Sequence, residues 1–130
     1  MRQGLIQGST AIEAAQVITP LLFSDPMSSP GSIDIADAKR AVILEGEFTH
    51  LAAEWIENGV TGRANKFEIL SHLARPRSEI PSSYCRYERV MEMLEKNEGN
   101  VTVETMRDLS IDHKNGPGLN SICRYQENDY

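Results

Sequence analysis

At 130 residues, with 40% apolar and 25% charged side chains, the chain has the make-up of a modest globular domain rather than of a disordered, fibrous or membrane-spanning protein. Its net charge of -6 argues against general nucleic-acid binding, which needs clustered lysine and arginine to neutralise phosphates. Two cysteines, Cys85 and Cys123, are too few for a disulfide scaffold, lack the spacing and histidine neighbours of a zinc site, and suit a reducing cytosol.

Thr10-Ala11-Ile12-Glu13 reads as a capping box. It predicts a helix with Ile12, Ala15, Gln16, Ile18 and Thr19 at helical spacing, ending near Pro20. The stretch 24–37, rich in proline, serine and glycine from Asp25 to Ser32, predicts a loop. Ala41 to Leu44 is a short apolar run that fits a buried strand. From Phe48 to Ile56 the pattern serves a helix face or a strand equally, and Asn58-Gly59 followed by Val60-Thr61 favours a hairpin turn into a further strand.

Beyond a loop bracketed by Pro76 and Pro81, Ser82 or Ser83 is placed to cap a helix. Tyr84, Tyr87, Val90, Met91 and Leu94 form its apolar stripe. Thr102 can cap a last helix carrying Val103, Met106 and Leu109, which stops before Asn115-Gly116-Pro117-Gly118. Residues 119–130 follow as a tail. Mixed helices and few strands, without a βαβ rhythm, predict an α+β fold in a single partial domain over residues 1–130 with open sheet edges. No stretch approaches the roughly 20 apolar residues of a membrane span, and no signal peptide or C-terminal address is visible, so the expected location is the cytoplasm.

Charge is uneven along the chain. Residues 62–89 carry a net +3 and the remainder -9, which reads foremost as a solvated surface with internal ion pairs and alternatively as an anion-facing patch. Ser121, His113 and Asp112 supply the residue types of a catalytic triad, but neighbouring aspartate and histidine seldom point at each other and no nucleophile elbow is present. His50, His72 and His113 are too scattered for a linear metal motif, so no metal and no cofactor is assigned. Cys123 beside Arg124 has the setting of an activated thiol, whereas Ile122 before it favours a small buried hydrophobe, the stronger reading; Cys85 reads as structural.

Leu109 to Arg124 contains Asp112-His113, Pro117 and Ser121-Ile122-Cys123-Arg124. This resembles a segment of the acyl-coenzyme A:6-aminopenicillanic acid acyltransferase (isopenicillin N acyltransferase) family in which an aspartate-rich turn precedes a proline and Ser-Ile-Cys-Arg. Upstream, Ser82-Ser83-Tyr84-Cys85-Arg86-Tyr87-Glu88-Arg89 resembles that family's serine-rich helix start with two arginines three apart. Thr61-Gly62-Arg63-Ala64-Asn65-Lys66-Phe67 resembles its His-Thr-Asn-His strand end, although Gly62, Arg63, Ala64 and Lys66 depart from it.

The resemblance implies a partial αββα sandwich of the N-terminal nucleophile hydrolases, with incomplete sheets and a cysteine as the family's attacking group. It further implies Asn65 as a candidate oxyanion donor; the basic segment and the spacing of two arginines on one helix make Arg86 or Arg89 a candidate to face a substrate carboxylate or backbone carbonyls. Because the family's cysteine stands upstream of every matched segment, the expected function is that of a truncated relative of an N-acyltransferase or small-amide hydrolase, linked to secondary metabolism and inactive alone. The alternative is an accessory or binding module that completes a split acyltransferase. The partners so implied are a small amide or acyl-coenzyme A, and an upstream subunit or a homo-oligomer, with neither nucleic acid nor membrane.

Overall fold

The computed structural model describes residues 8–24, 31–47 and 49–124. They form an α+β protein with three helices and one three-stranded antiparallel sheet. The described residues fall into two units, those up to Asn58 together with Phe67–Ala74, and Gly59–Lys66 together with those from Arg75 onward.

In the first unit, helix α1 (Ala11–Ser24) precedes strands β1 (Gly31–Ala36), β2 (Ala41–Glu47) and β3 (His50–Ile56), in the sheet order β1-β2-β3. Thr10 caps α1 as the sequence predicts, its Oγ1 accepting from the Glu13 amide at 3.2 Å, but Glu13 turns back to the Ser9 amide rather than to that of Thr10. The helix runs through Pro20 instead of ending there. Pro20 removes one intrahelical donor at a cost of about 3 kcal/mol, which the packing of Leu22 against the core helps to offset. The buried face is Ala11, Ala14, Ala15 and Ile18, rotated from the predicted one, so that Ile12 is exposed. Three alanines on that face let the helix lie close to the sheet.

Part of the loop predicted over 24–37 is strand β1, because Ile33 and Ile35 alternate with Ser32 and Asp34 and supply a half-buried period of two. Residues 25–30 of that loop, Phe48, and the tail over 125–130 lie outside the described residues. Ile33 and Ile35 stand opposite Leu44 and Val42, and these four side chains meet the α1 face in one apolar core. The β1–β2 connection is held by Asp37, whose Oδ1 accepts from the amides of Lys39 and Arg40 at 2.7 and 3.0 Å. Its Oδ2 reaches the Ala11 amide at 2.8 Å, tying the hairpin to the start of α1. These bonds, that to Ala11 first, hold the Asp37 carboxyl below its ordinary pKa.

The ambiguous stretch before Asn58 is a strand. β2 and β3 pair with each other up to Glu47 and His50, so the hairpin is not at Asn58-Gly59, and Val60-Thr61 opens no strand. β2 is buried along its middle, with Val42 and Leu44 toward α1 and Ile43 and Glu45 on the other face.

Glu45 is the charged group of this interior, 1% exposed. Its carboxylate accepts three successive backbone amides, Glu68 at 3.0 Å to each oxygen, Ile69 at 2.8 Å and Leu70 at 3.1 Å. A concave run of amides is a natural seat for an anion, and it anchors the returning segment, with buried Phe67 and Leu70, on the sheet. A one-turn 3-10 helix, Ser71–Leu73, follows.

In the second unit, helix α2 (Pro81–Lys96) starts with Pro81 in its first turn rather than with a serine cap, since the fixed dihedral of proline suits that position. Of its predicted stripe, Leu94 is buried and Tyr84, Tyr87, Val90 and Met91 are half-buried. Gly62 permits a close approach here: a Cβ at that position would come within 2.4 Å of Val90 Cγ1. Helix α3 (Val103–Ser110) begins as predicted, with Thr102 and Thr105 in a reciprocal capping box. It buries none of its residues, and Val103 is 80% exposed.

Glu45→Gln turns one acceptor oxygen into a donor facing the amides of Glu68, Ile69 and Leu70. The expected loss is about 2–3 kcal/mol of unfolding free energy, read from urea denaturation, with Glu95→Gln on the exposed face of α2 as the near-neutral control.

Candidate functional site

The candidate residues gather along α2 in the second unit. Ser82, Ser83 and Arg86 share one helix face, and Arg86 folds back over it. Its Nε donates to the Ser82 carbonyl at 3.2 Å, and Nη2 donates to Ser83 Oγ at 3.4 Å and to Asn65 Oδ1 at 3.1 Å. Asn65 reaches Arg86 because the Gly59–Lys66 segment runs against α2 at Gly62. Next to Asn65, the Lys66 ammonium stands 3.9 Å from the centre of the Tyr87 ring and 4.9 Å from that of Tyr84, a cation–π arrangement that fixes the end of the segment.

The cations of the basic stretch differ in their partners. Arg75 pairs with Glu79, and Arg77 makes a two-pronged contact with Glu88. Arg86 meets neutral acceptors alone among the described residues. Burial first, and the nearby positive charge of Arg124 second, push its guanidinium below the ordinary arginine pKa. Arg86 Nη1 and Asn65 Nδ2 donate to no described residue. A bound anion would offset both the burial and the like-charge repulsion, and a carboxylate presents two oxygens to match two donor groups.

Arg89 serves a different purpose. Its Nε donates to both Asp112 oxygens at 3.1 Å, Nη2 to Oδ2 at 2.6 Å, and Nη1 to Glu92 at 2.9 Å. Lys114 extends the network to Glu92 at 2.9 Å. The structure thus brings Asn65 and Arg86 together and gives Arg89 to an internal ion pair. Asp112, 23 positions downstream of Arg89, escaped the sequence reading as its partner because nothing in local periodicity marks so distant a contact.

Of the triad residue types, Asp112 is engaged by Arg89, and Ser121 Oγ donates to the Gly116 carbonyl at 2.6 Å. Ser121, His113 and Asp112 therefore do not assemble as a relay. Cys85 and Cys123 are half-buried free thiols, Cys85 with its sulfur 4.0 Å from Arg77 Nη2 and Cys123 with its amide on the Asp112 carbonyl at 3.2 Å. Among the described residues no cluster of three or more His, Cys, Asp and Glu side chains is arranged to hold a metal ion, and no helix is long and apolar enough to cross a membrane.

No family model, curated protein or solved structure matches this chain.

The hydrogen bonds from Arg89 hold the Asp112 carboxyl below its ordinary pKa, against the opposing effect of burial. A carboxyl with a lower pKa in the folded state contributes stability that is complete above its unfolded value, near 4, and lost as pH falls through its folded value. Asp112→Asn should cost about 3 kcal/mol at pH 7, and the gap between variant and parent should close as acid denaturation is followed downward from about pH 4.

Proposed function

We propose that this chain is a non-catalytic binding module for a small carboxylate or acyl compound, related to the substrate side of the isopenicillin N acyltransferase family. The observation that carries the reading is the half-buried Arg86 guanidinium held by Ser82, Ser83 and Asn65, with no described carboxylate to neutralise it. Asn65, expected as an oxyanion donor, spends its carbonyl oxygen on Arg86 and keeps its amide group as a donor beside the guanidinium. Two such donors recognise an anionic oxygen in a ground-state ligand as readily as in a reacting one, so their presence implies binding without requiring chemistry.

On this reading the three-stranded sheet with α1 on one face corresponds to one sheet and one helical layer of an αββα sandwich, and the family's second sheet has no counterpart in the described strands. A reaction of the family's type needs a thiol beside a base. In this proposal neither Cys85 nor Cys123 has the role of attacking thiol. A split enzyme completed by a separate subunit would place the attacking group on the other chain and leave Arg86 and Asn65 the same role.

Calorimetric titration with phenylacetate and with an N-acyl-β-alanine tests the reading, alongside hydrolysis of phenylacetyl amides. Saturable binding that weakens at least about tenfold in Arg86→Gln, with turnover absent from both proteins, is the expected result. Equal affinity in parent and variant would remove Arg86 from the site, and turnover with an acyl adduct on Cys85 or Cys123 would show a nucleophile within this chain.

A further inference from the structure

We infer that the open edge of β3 is a self-recognition surface through which two copies of this chain pair antiparallel across a two-fold axis at Ala53. The inference is independent of the carboxylate site, since it rests on the first unit alone. Among the described residues β3 ends the sheet, with β2 on one side and no strand on the other.

The pairing of Glu47 with His50 closes a two-residue connection between β2 and β3. Such a closing pair is hydrogen-bonded, and the alternation of antiparallel ladders then points the amides and carbonyls of His50, Ala52, Glu54 and Ile56 toward β2. Those of Leu51, Ala53 and Trp55 face outward. Their side chains share one sheet face, because they stand opposite Gly46, Leu44 and Val42.

That face is only partly covered. Leu51 packs against the α1 core, whereas Ala53 is exposed and Trp55, opposite the fully buried Val42, is 46% exposed. Trp55 therefore leaves apolar surface in water beside unpaired backbone groups, which pairing of the edge would bury.

A second copy fits this edge by register. With Ala53 opposite Ala53, Leu51 of each copy stands opposite Trp55 of the other, and all three pairs use outward-facing backbone groups, two hydrogen bonds per pair. Each tryptophan then covers the leucine of the partner, while Glu54 faces Ala52 so that no like charges are directly opposed. Moving the axis to Ala52 keeps the pair Leu51–Ala53 but sends Trp55 past the end of the facing strand, beside Thr49. The Ala53 axis therefore uses the whole strand. β3 also contains no lysine or proline, residues that commonly guard an open edge, and its charged residue is Glu54. The opposite edge, β1, follows Pro30 and exposes Asp34.

A contact of one strand pair is at the small end of specific interfaces, so the dimer should be weak, with Kd on the order of 10–100 μM. Trp55 is the single tryptophan of the chain and reports directly. Sedimentation across about 5–500 μM should show a monomer–dimer equilibrium, with tryptophan emission moving to the blue as dimer forms. Ala53→Pro removes an outward amide while leaving the β2 side of the strand its donors, and Trp55→Lys places a charge at the contact. Both should be monomeric over the whole range with the parent's far-ultraviolet circular dichroism, and if Ala53→Pro loses that spectrum, Trp55→Lys decides. A parent that stays monomeric at the highest concentration, or a dimer that survives Trp55→Lys, overturns the proposal.

Discussion

A single buried carboxylate organises the first unit. Glu45 sits in the middle of the central strand, where a hydrophobic side chain would be expected, and takes the amides of Glu68, Ile69 and Leu70. Burial of a charge is expensive unless every lone pair finds a donor, and here the donors are backbone groups that would otherwise need their own partners. The chain leaves this unit after Asn58 and comes back to it over Phe67–Ala74, and Glu45 fixes that return.

The second unit repeats this logic with side chains in place of amides. Arg89 and Asp112 are both largely buried and satisfy each other in three hydrogen bonds, with Glu92 and Lys114 completing the set at the surface. Arg86, one helical turn before, has no such partner among the described residues. Two guanidinium groups on one helix thus differ in whether a described carboxylate reaches them, and it is the one bonded to neutral acceptors that carries the functional proposal.

Much of this was legible in the sequence where local chemistry decided the outcome. Thr10 and Thr102 announced their helices, Ala41 to Leu44 announced the central strand, and the spacing of Tyr84, Val90 and Leu94 announced α2. Short-range signals failed where a distant contact prevailed. Pro20 marked a helix end that core packing of Leu22 overrode, and Asn58-Gly59 marked a hairpin whose strands were already paired elsewhere. The serines and glycine near Gly31 masked the two isoleucines that make β1. The resemblance points to Asn65 and the spacing of basic residues to Arg86 and Arg89, but the Asn65–Arg86 contact depends on Gly62 lying against Val90, and Asp112 occupies Arg89. Pairings across 21 or 23 positions leave no periodic trace in one sequence.

The most direct measurement follows the arginine guanidinium groups by nitrogen-15 nuclear magnetic resonance as phenylacetate is added. The account predicts that the Arg86 side-chain signals shift and sharpen with saturation, as free donors become bonded, while those of Arg89, already held by Asp112, stay in place. Unchanged Arg86 signals at saturating phenylacetate, or equal small shifts across all arginines, would contradict the carboxylate site.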